Sequence, residues 1–239
     1  MGTTRFRLEG AEFQDGMDCP DALVGETSAN DAPHPLRQAQ FLTTAAEWVQ
    51  LPTGGTPEIA IAGRSNAGKS SALNALAQHT RLAYVSKTPG RTQHINLFRL
   101  RSGALLADLP GYGYAKVPAA MRAYWQQFIA RYLAERVELV GLLLVMDVRH
   151  PLTDLDLKLL DWFVPRGRPV HILLTKCDKL GTQAQAQTLD KVHAVLEEAY
   201  GNRGAQISVQ LFSATRRVGM AEAEAILDRW LSPTDSPGS

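Results

Sequence analysis

Apolar residues along the chain fall into short, nearly continuous runs, and these alternate with stretches of helical period. Runs at 58–62, 104–107, 139–146, 170–174 and 207–212 are largely apolar on successive positions, the pattern of strands covered on both faces of a parallel sheet. A further strand is expected near 94–100. Between the runs, 71–77, 154–163, 184–200 and 220–231 read as helices, and Gly201 stands where the third of these should stop. Pro118 is placed to open another helix, along which Met121, Trp125, Phe128 and Tyr132 recur at helical spacing and are expected in the core. Leu36, Phe41, Leu42, Ala45, Ala46 and Val49 predict a short element lying on the main domain. Strand and helix alternate throughout. That order predicts an α/β fold of three layers, a mostly parallel central sheet with helices on both faces.

The ends of the chain do not share this pattern. Residues 1–35 scatter Gly, Pro, Asp and Asn without a sustained period and carry two basic and seven acidic side chains, a net −5, so they read as a flexible acidic extension. Residues 233–239 read as a disordered tail. The domain proper is therefore expected at 36–232, and the overall charge of +1 leaves it at +6. Eight of its Lys and Arg residues lie within 64–116 against one acid, Asp108. This concentration suits either a solvated face beside a bound polyanion or a surface that meets RNA phosphates.

Composition excludes several classes. The two cysteines, Cys19 and Cys177, are far apart and have no companion at zinc spacing, which argues against a disulfide framework or a structural zinc. The longest apolar run, 139–146, falls well short of the roughly 20 residues that span a bilayer. No charged-then-apolar leader precedes residue 30. A cytoplasmic protein, monomeric and without a membrane partner, is the expectation.

The chemistry begins where the strand at 58–62 meets the helix at 71–77. They are joined by Gly63, Arg64, Ser65, Asn66, Ala67, Gly68, Lys69 and Ser70, which fit G-x-x-x-x-G-K-[ST], the phosphate-binding P-loop. Glycines at its ends let the backbone turn sharply and approach phosphate without a Cβ in the way. The loop N–H groups and the positive end of the following helix face the anion. Lys69 can reach the outer phosphates, and the Ser70 hydroxyl can ligate Mg²⁺. This is the pattern of a nucleoside-triphosphate site.

Further motifs follow at strand ends, where doubly wound sheets bind ligands. Asp108, Leu109, Pro110 and Gly111 form D-x-x-G: the Asp can hold the outer shell of Mg²⁺, and the Gly N–H can bond the γ-phosphate. The long connection 83–96 contains Gly90, Arg91, Thr92, Gln93 and His94, assigned to the nucleotide, with Thr92 as the second Mg²⁺ ligand and Thr88 as its rival. Thr175, Lys176, Cys177 and Asp178 select the base. A carboxylate at Asp178 accepts from guanine N1–H and its 2-amino group, donors that adenine lacks, and the Lys176 stem can lie flat on the ring. Phe212, Ser213 and Ala214 close the last strand, where a backbone N–H can reach guanine O6. Lys69, Thr92 and Gly111 are the expected catalytic groups, and the moving segments are expected at 84–96 and 108–116.

The series GRSNAGKS, TPGRTQ, DLPGYGYAK, TKCDK and FSA resembles the Ras-like P-loop GTPases, specifically the EngB (YihA/YsxC) ribosome-biogenesis GTP-binding proteins of bacteria. Asp147-Val148-Arg149-His150-Pro151 and threonine rather than asparagine at Thr175 agree with that family, and the likeness covers 36–232. It implies GTP and GDP as ligands, and ribosomal RNA and large-subunit precursor particles as partners. It also implies a role in large-subunit assembly, with cell division and septation depending on it. Tyr112 stands where Ras has its water-orienting glutamine, so slow intrinsic hydrolysis is implied. Asn66 resembles the asparagine with which some related GTPases hold K⁺. Two rivals remain at this point: a P-loop kinase or ATPase, and a division-machinery interaction protein with a structural GTP.

Overall fold

The structure is a computed structural model that describes residues 36, 39–78, 82, 94–113, 119–201 and 206–232, with the side chains of 119–125 excepted. In chain order the elements are β1 (Gln40–Ala45), β2 (Glu58–Gly63), α1 (Lys69–Leu76), β3 (Ile95–Arg99), β4 (Leu105–Asp108), α2 (Ala119–Glu135), β5 (Leu139–Asp147), α3 (Asp154–Phe163), β6 (Val170–Thr175), α4 (Thr182–Tyr200), β7 (Ile207–Leu211) and α5 (Met220–Leu231). They build one seven-stranded sheet in the order β1-β3-β4-β2-β5-β6-β7. The strands β4, β2, β5, β6 and β7 are mutually parallel, while β3 runs antiparallel to both β4 and β1.

The alternation of side chains along a strand explains the three layers. From β2, Ile59 and Ile61 pack with Leu73 and Leu76 of α1 and with Ala223 and Leu227 of α5. Ala60 and Ala62 face the other way, toward Phe128, Ile129 and Tyr132 of α2 and Leu160 and Phe163 of α3. All six residues of β2 are buried, so this strand runs through the middle of the core. Phe128 and Tyr132 lie in the core as their spacing predicts; the side chains of Met121 and Trp125 lie outside the described residues.

The segment expected as a short element at 36–49 resolves into edge strand β1 and a 3₁₀ turn at Trp48–Gln50. A register shift between Phe41 and Thr43 interrupts its pairing with β3. Such irregularities at a sheet edge discourage pairing with further chains.

Glu58 opens β2 fully buried, and Arg136 answers it. The guanidinium donates to Glu58 Oε1 at 2.5 Å and to Oε2 at 2.9 Å, and Tyr132 Oη–H donates to Oε2 at 2.9 Å. This buried network ties the start of the central strand to the end of α2. Among the described residues, no helix is long and apolar enough to cross a membrane.

Candidate functional site

Strand register brings the motifs to one edge. Gly63 lies opposite Val145, Asp108 pairs with Ile61, and Asp147 pairs with Thr175. The carboxyl ends of β2, β4, β5 and β6 thus meet along a single rim, because these strands run parallel, and it is at such ends that open α/β sheets bind ligands.

The P-loop leaves β2 at Gly63, where an added Cβ would stand 2.6 Å from Val145 O. That clearance admits hydrogen and little else. Gly68 caps α1 at φ 98°, a left-handed conformation that glycine adopts without strain. Asn66 is also left-handed, at φ 67°, a conformation that asparagine tolerates better than most residues. The first turn of α1 contains no acid, so nothing there opposes an anion at its N-terminus. Lys69 Nζ donates to Asp108 Oδ1 across the rim, and both side chains are nearly buried. Leu109 N–H donates to Ile61 O at 2.9 Å, continuing the sheet past Asp108.

The turn Thr175 to Asp178, expected to select the base, is bound to the same loop. Thr175 Oγ1 lies within bonding distance of Ala67 O and, at 2.9 Å, of Met146 O, so its single proton serves the P-loop and β5 together. Lys176 reaches over the loop: its ammonium donates to Asn66 O at 2.7 Å and to Asp147 Oδ2 at 3.0 Å. Arg149 grips the same carboxylate at 2.9 and 2.6 Å. These hydrogen bonds, those of Arg149 foremost, hold the Asp147 carboxyl well below the usual carboxylate range against the opposing effect of burial. Asp178 accepts from Ser213 Oγ at 2.6 Å, which lowers its pKa and keeps it an anion. Burial pushes the Cys177 thiol up, so it sits as a small apolar residue. Cys177 N–H donates to Phe212 O at 3.2 Å, which joins the turn after β6 to the end of β7 through the backbone.

The structure therefore brings Gly63 to Ser70, Asp108 to Gly111, Thr175 to Asp178 and Phe212 to Ala214 to one side of one sheet. His94 is described just before β3. Gly90, Arg91, Thr92 and Gln93, together with Thr88, lie outside the described residues, as do Tyr114, Ala115 and Lys116. Ser213 N–H is engaged by Val218 O at 3.1 Å, which narrows the expected O6 donor to Ala214. The sequence motifs gave no individual role to Asp147, Arg149 or Asp156. Asp147 closes β5 and Arg149 follows two residues later, visible as a polar stop after an apolar run. Asp156 was visible as the fourth residue of Thr153-x-x-Asp156, a helix-capping pattern.

A P-loop on the central strand, D-x-x-G on one neighbour, and an Asp-bearing turn two strands to the other side define a P-loop GTPase. The family described as 50S ribosome-binding GTPase matches residues 58–176. The probable GTP-binding protein EngB of Azoarcus sp. strain BH72 is 55% identical over 203 residues, covering 85% of this chain and 96% of the relative. Its counterpart in Aromatoleum aromaticum is 56% identical over 201 residues, covering 84% and 91%. The chain belongs to the EngB family of GTP-binding proteins. A crystal structure of a probable GTP-binding protein engB superposes with a TM-score of 0.57 at 18% identity, covering 74% of this chain and all of that one, a likeness of fold.

Proposed function

We propose that this GTPase acts as a nucleotide-controlled switch on the assembling large ribosomal subunit, and that cell division and septation depend on it through that role. The observation that carries the guanine site is the tie between its two ends: Thr175 and Lys176, which precede Asp178 in the same turn, are bonded directly to the P-loop at Ala67 and Asn66. A base held by Asp178 thereby sets where its phosphates lie. A kinase or ATPase has no use for an anionic acceptor at that position, because adenine offers it no donor pair. The ribosomal partner rests on the family description, 50S ribosome-binding GTPase. A cavity of about 410 Å³ beside Ser65 and Asn66 is lined by Arg64, Arg149 and Lys176 against one acid, Asp147, a cationic excess that suits a polyanion next to the loop.

The reaction is attack of water on the γ-phosphorus with cleavage of its bond to the β-γ bridging oxygen, giving GDP, phosphate and a proton. Lys69 turns from Asp108 to the β- and γ-oxygens, the loop N–H groups hold the same charge, and the Gly111 N–H takes a γ-oxygen. Mg²⁺ fits the residues present: a hydroxyl at Ser70 in the first turn of α1 and a nearly buried carboxylate at Asp108, the end of β4, are hard oxygen donors. Ser70 and Thr92 would hold it directly and Asp108 through water, and the ion would there neutralise phosphate charge. Domain limits of 36–232, a cytoplasmic location and a monomer complete the reading.

Sedimentation of a cell lysate on sucrose gradients tests the partner. With a non-hydrolysable GTP analogue the protein should move with large-subunit particles, and raising the salt should release it, because phosphate contacts weaken steeply with ionic strength. If it stays at the top of the gradient at low salt in every nucleotide state, the ribosomal reading fails.

Asn66 carries a second prediction. Its left-handed backbone sets it on the wall of the cavity, and its side-chain carbonyl can complete an oxygen cage for K⁺ beside the phosphates. K⁺ should then accelerate hydrolysis well above equimolar Na⁺, and Asn66→Ala should abolish the difference while Mg²⁺·GTP still binds. Equal rates in the two salts, with and without ribosomes, would leave activation to a group supplied in trans.

A further inference from the structure

The turn that follows β7 is closed at its neck and held from beneath by a buried chain of side chains. Ser213 and Val218 exchange both backbone hydrogen bonds, each at 3.1 Å, which shuts residues 213–218 into a loop. Ser213 Oγ accepts from Arg216 N–H at 3.1 Å while donating to Asp178. The feet of the loop are Leu211 and Gly219, and one amide spans them. Gln210 Nε2 donates to Gly219 O at 2.7 Å and to Leu211 O at 3.3 Å. Gly219 stands at φ 73°, and a Cβ added there would collide with Gln210 Nε2 and Leu211 O. Gly219 O also accepts Ala223 N–H at 3.2 Å, so α5 starts from the atom that the amide holds.

Donors and acceptors fix which way that amide points. Two carbonyls take up the Gln210 NH₂, so its Oε1 faces His171 Nε2 at 2.7 Å and requires a proton on that nitrogen. His171 is 0% exposed, and burial lowers its pKa, so the ring is neutral and Nδ1 is left as an acceptor. Ser208 Oγ–H answers it at 2.8 Å. Ser208, His171, Gln210 and Gly219 thus form one directed series, in which each link sets the orientation of the next. His171 lies four residues before Thr175 on β6, roughly 13 Å along the strand.

We infer that Gln210, oriented by His171, sets how closely the loop 213–218 presses on position 6 of the guanine ring. The inference rests on the guanine-nucleotide reading above, in which Ala214 N–H meets O6. Without the amide, Leu211 O and Gly219 O lose their shared donor, the feet of the loop can part, and Ala214 N–H moves off the base. A donor held rigidly discriminates against an altered acceptor, whereas a loosened one adapts to it. Neither Gln210 nor His171 touches the nucleotide; both are positioning residues.

6-Thioguanosine diphosphate probes this contact. Its C=S bond is longer than C=O and its sulfur is a weaker acceptor, while N1–H and the 2-amino group that face Asp178 remain. Affinities for it and for GDP are to be measured with Mg²⁺ by displacement of a fluorescent guanine nucleotide. The unaltered chain should prefer GDP. Gln210→Met keeps an unbranched side chain of similar size without its hydrogen bonds. It should weaken GDP binding about fivefold to tenfold, the worth of one hydrogen bond, and the thio analogue less than about twofold. His171→Leu should act likewise, because the amide loses the donor that orients it. His171→Gln, whose terminal NH₂ can replace the Nε2–H, should retain the preference. Ser208→Ala, the mildest change, should reduce it by less, and it decides the matter should the first two variants not fold. A role confined to stability would lower the melting temperature and weaken both diphosphates alike. That result overturns the inference, as does a preference unchanged within about twofold in Gln210→Met and His171→Leu, or an unaltered chain that binds both diphosphates equally. An unaltered chain that binds neither would instead remove the guanine reading.

Discussion

Asp178→Asn is expected to bind xanthosine triphosphate in preference to GTP. The carboxylate is an acceptor on both oxygens, and its low pKa, set first by the Ser213 hydroxyl, keeps it so at neutral pH. Guanine presents two donors, N1–H and the 2-amino group. An amide at this position retains one acceptor and gains a donor, which opposes the 2-amino group and matches the carbonyl of xanthine. The Ser213 Oγ–H, which donates to Asp178 Oδ1 at 2.6 Å, favours the amide oxygen on its own side and turns the new NH₂ toward the base. Loss of a charged pairing should lower GTP affinity by about tenfold to a hundredfold. Sites built on hydrogen bonds reject mismatched partners strongly because a buried polar group is left unpaired. Competition binding with the two nucleotides reads the exchange. Undiminished GTP affinity in the variant would remove Asp178 from base recognition.

Arg136→Ala should unfold the protein at much lower denaturant, with a loss of about 3–5 kcal/mol. The reason is the environment of its partner. Glu58 is 0% exposed and, besides Arg136, receives the Tyr132 hydroxyl. Removing the guanidinium leaves a carboxylate in the middle of the domain with one neutral donor. The same side chain also donates to Pro52 O at 2.5 Å, at the entry to β2, so the change loosens the strand that carries the P-loop. Glu135→Ala is the contrasting case. Its pairing with Arg131 at i,i+4 is exposed on both sides, 50% and 57%, and such pairs contribute about 0.3–0.5 kcal/mol. Urea unfolding of the two variants measures both values. A loss below about 1 kcal/mol for Arg136→Ala would show that Glu58 finds another partner or takes up a proton.

Much of this molecule was legible in its sequence, and the legible parts share a cause. The helices expected at 154–163 and 220–231 are α3 and α5 to the residue. The P-loop, D-x-x-G and the Asp178 turn all follow apolar runs, so strand ends could be located without coordinates. These are local signals: periodicity, a glycine where the backbone must turn, and a polar stop after a buried run depend on neighbours within a few residues. At 36–49 the signal failed to specify the element. The apolar positions there fit no single period, and what makes 40–45 a strand is the edge of β3, some fifty residues away, with a register shift in the pairing.

Tertiary structure alone decided the pairings. Lys69 with Asp108, Lys176 with Asp147 and Asn66, Arg136 with Glu58, and Tyr112 with Asp156 join positions 29 to 110 residues apart. No property of either partner in isolation indicates the other. Each pairing follows from strand order and register, which arise from packing the whole sheet between its helices. What the sequence by itself determined was the class of chemistry, because the residue types that bind phosphate and guanine carry their function in short patterns. How those residues restrain one another, and which buried charge depends on which, became readable only once seven strands stood side by side, because a hydrogen bond of 2.6 Å demands a position that chain distance does not encode.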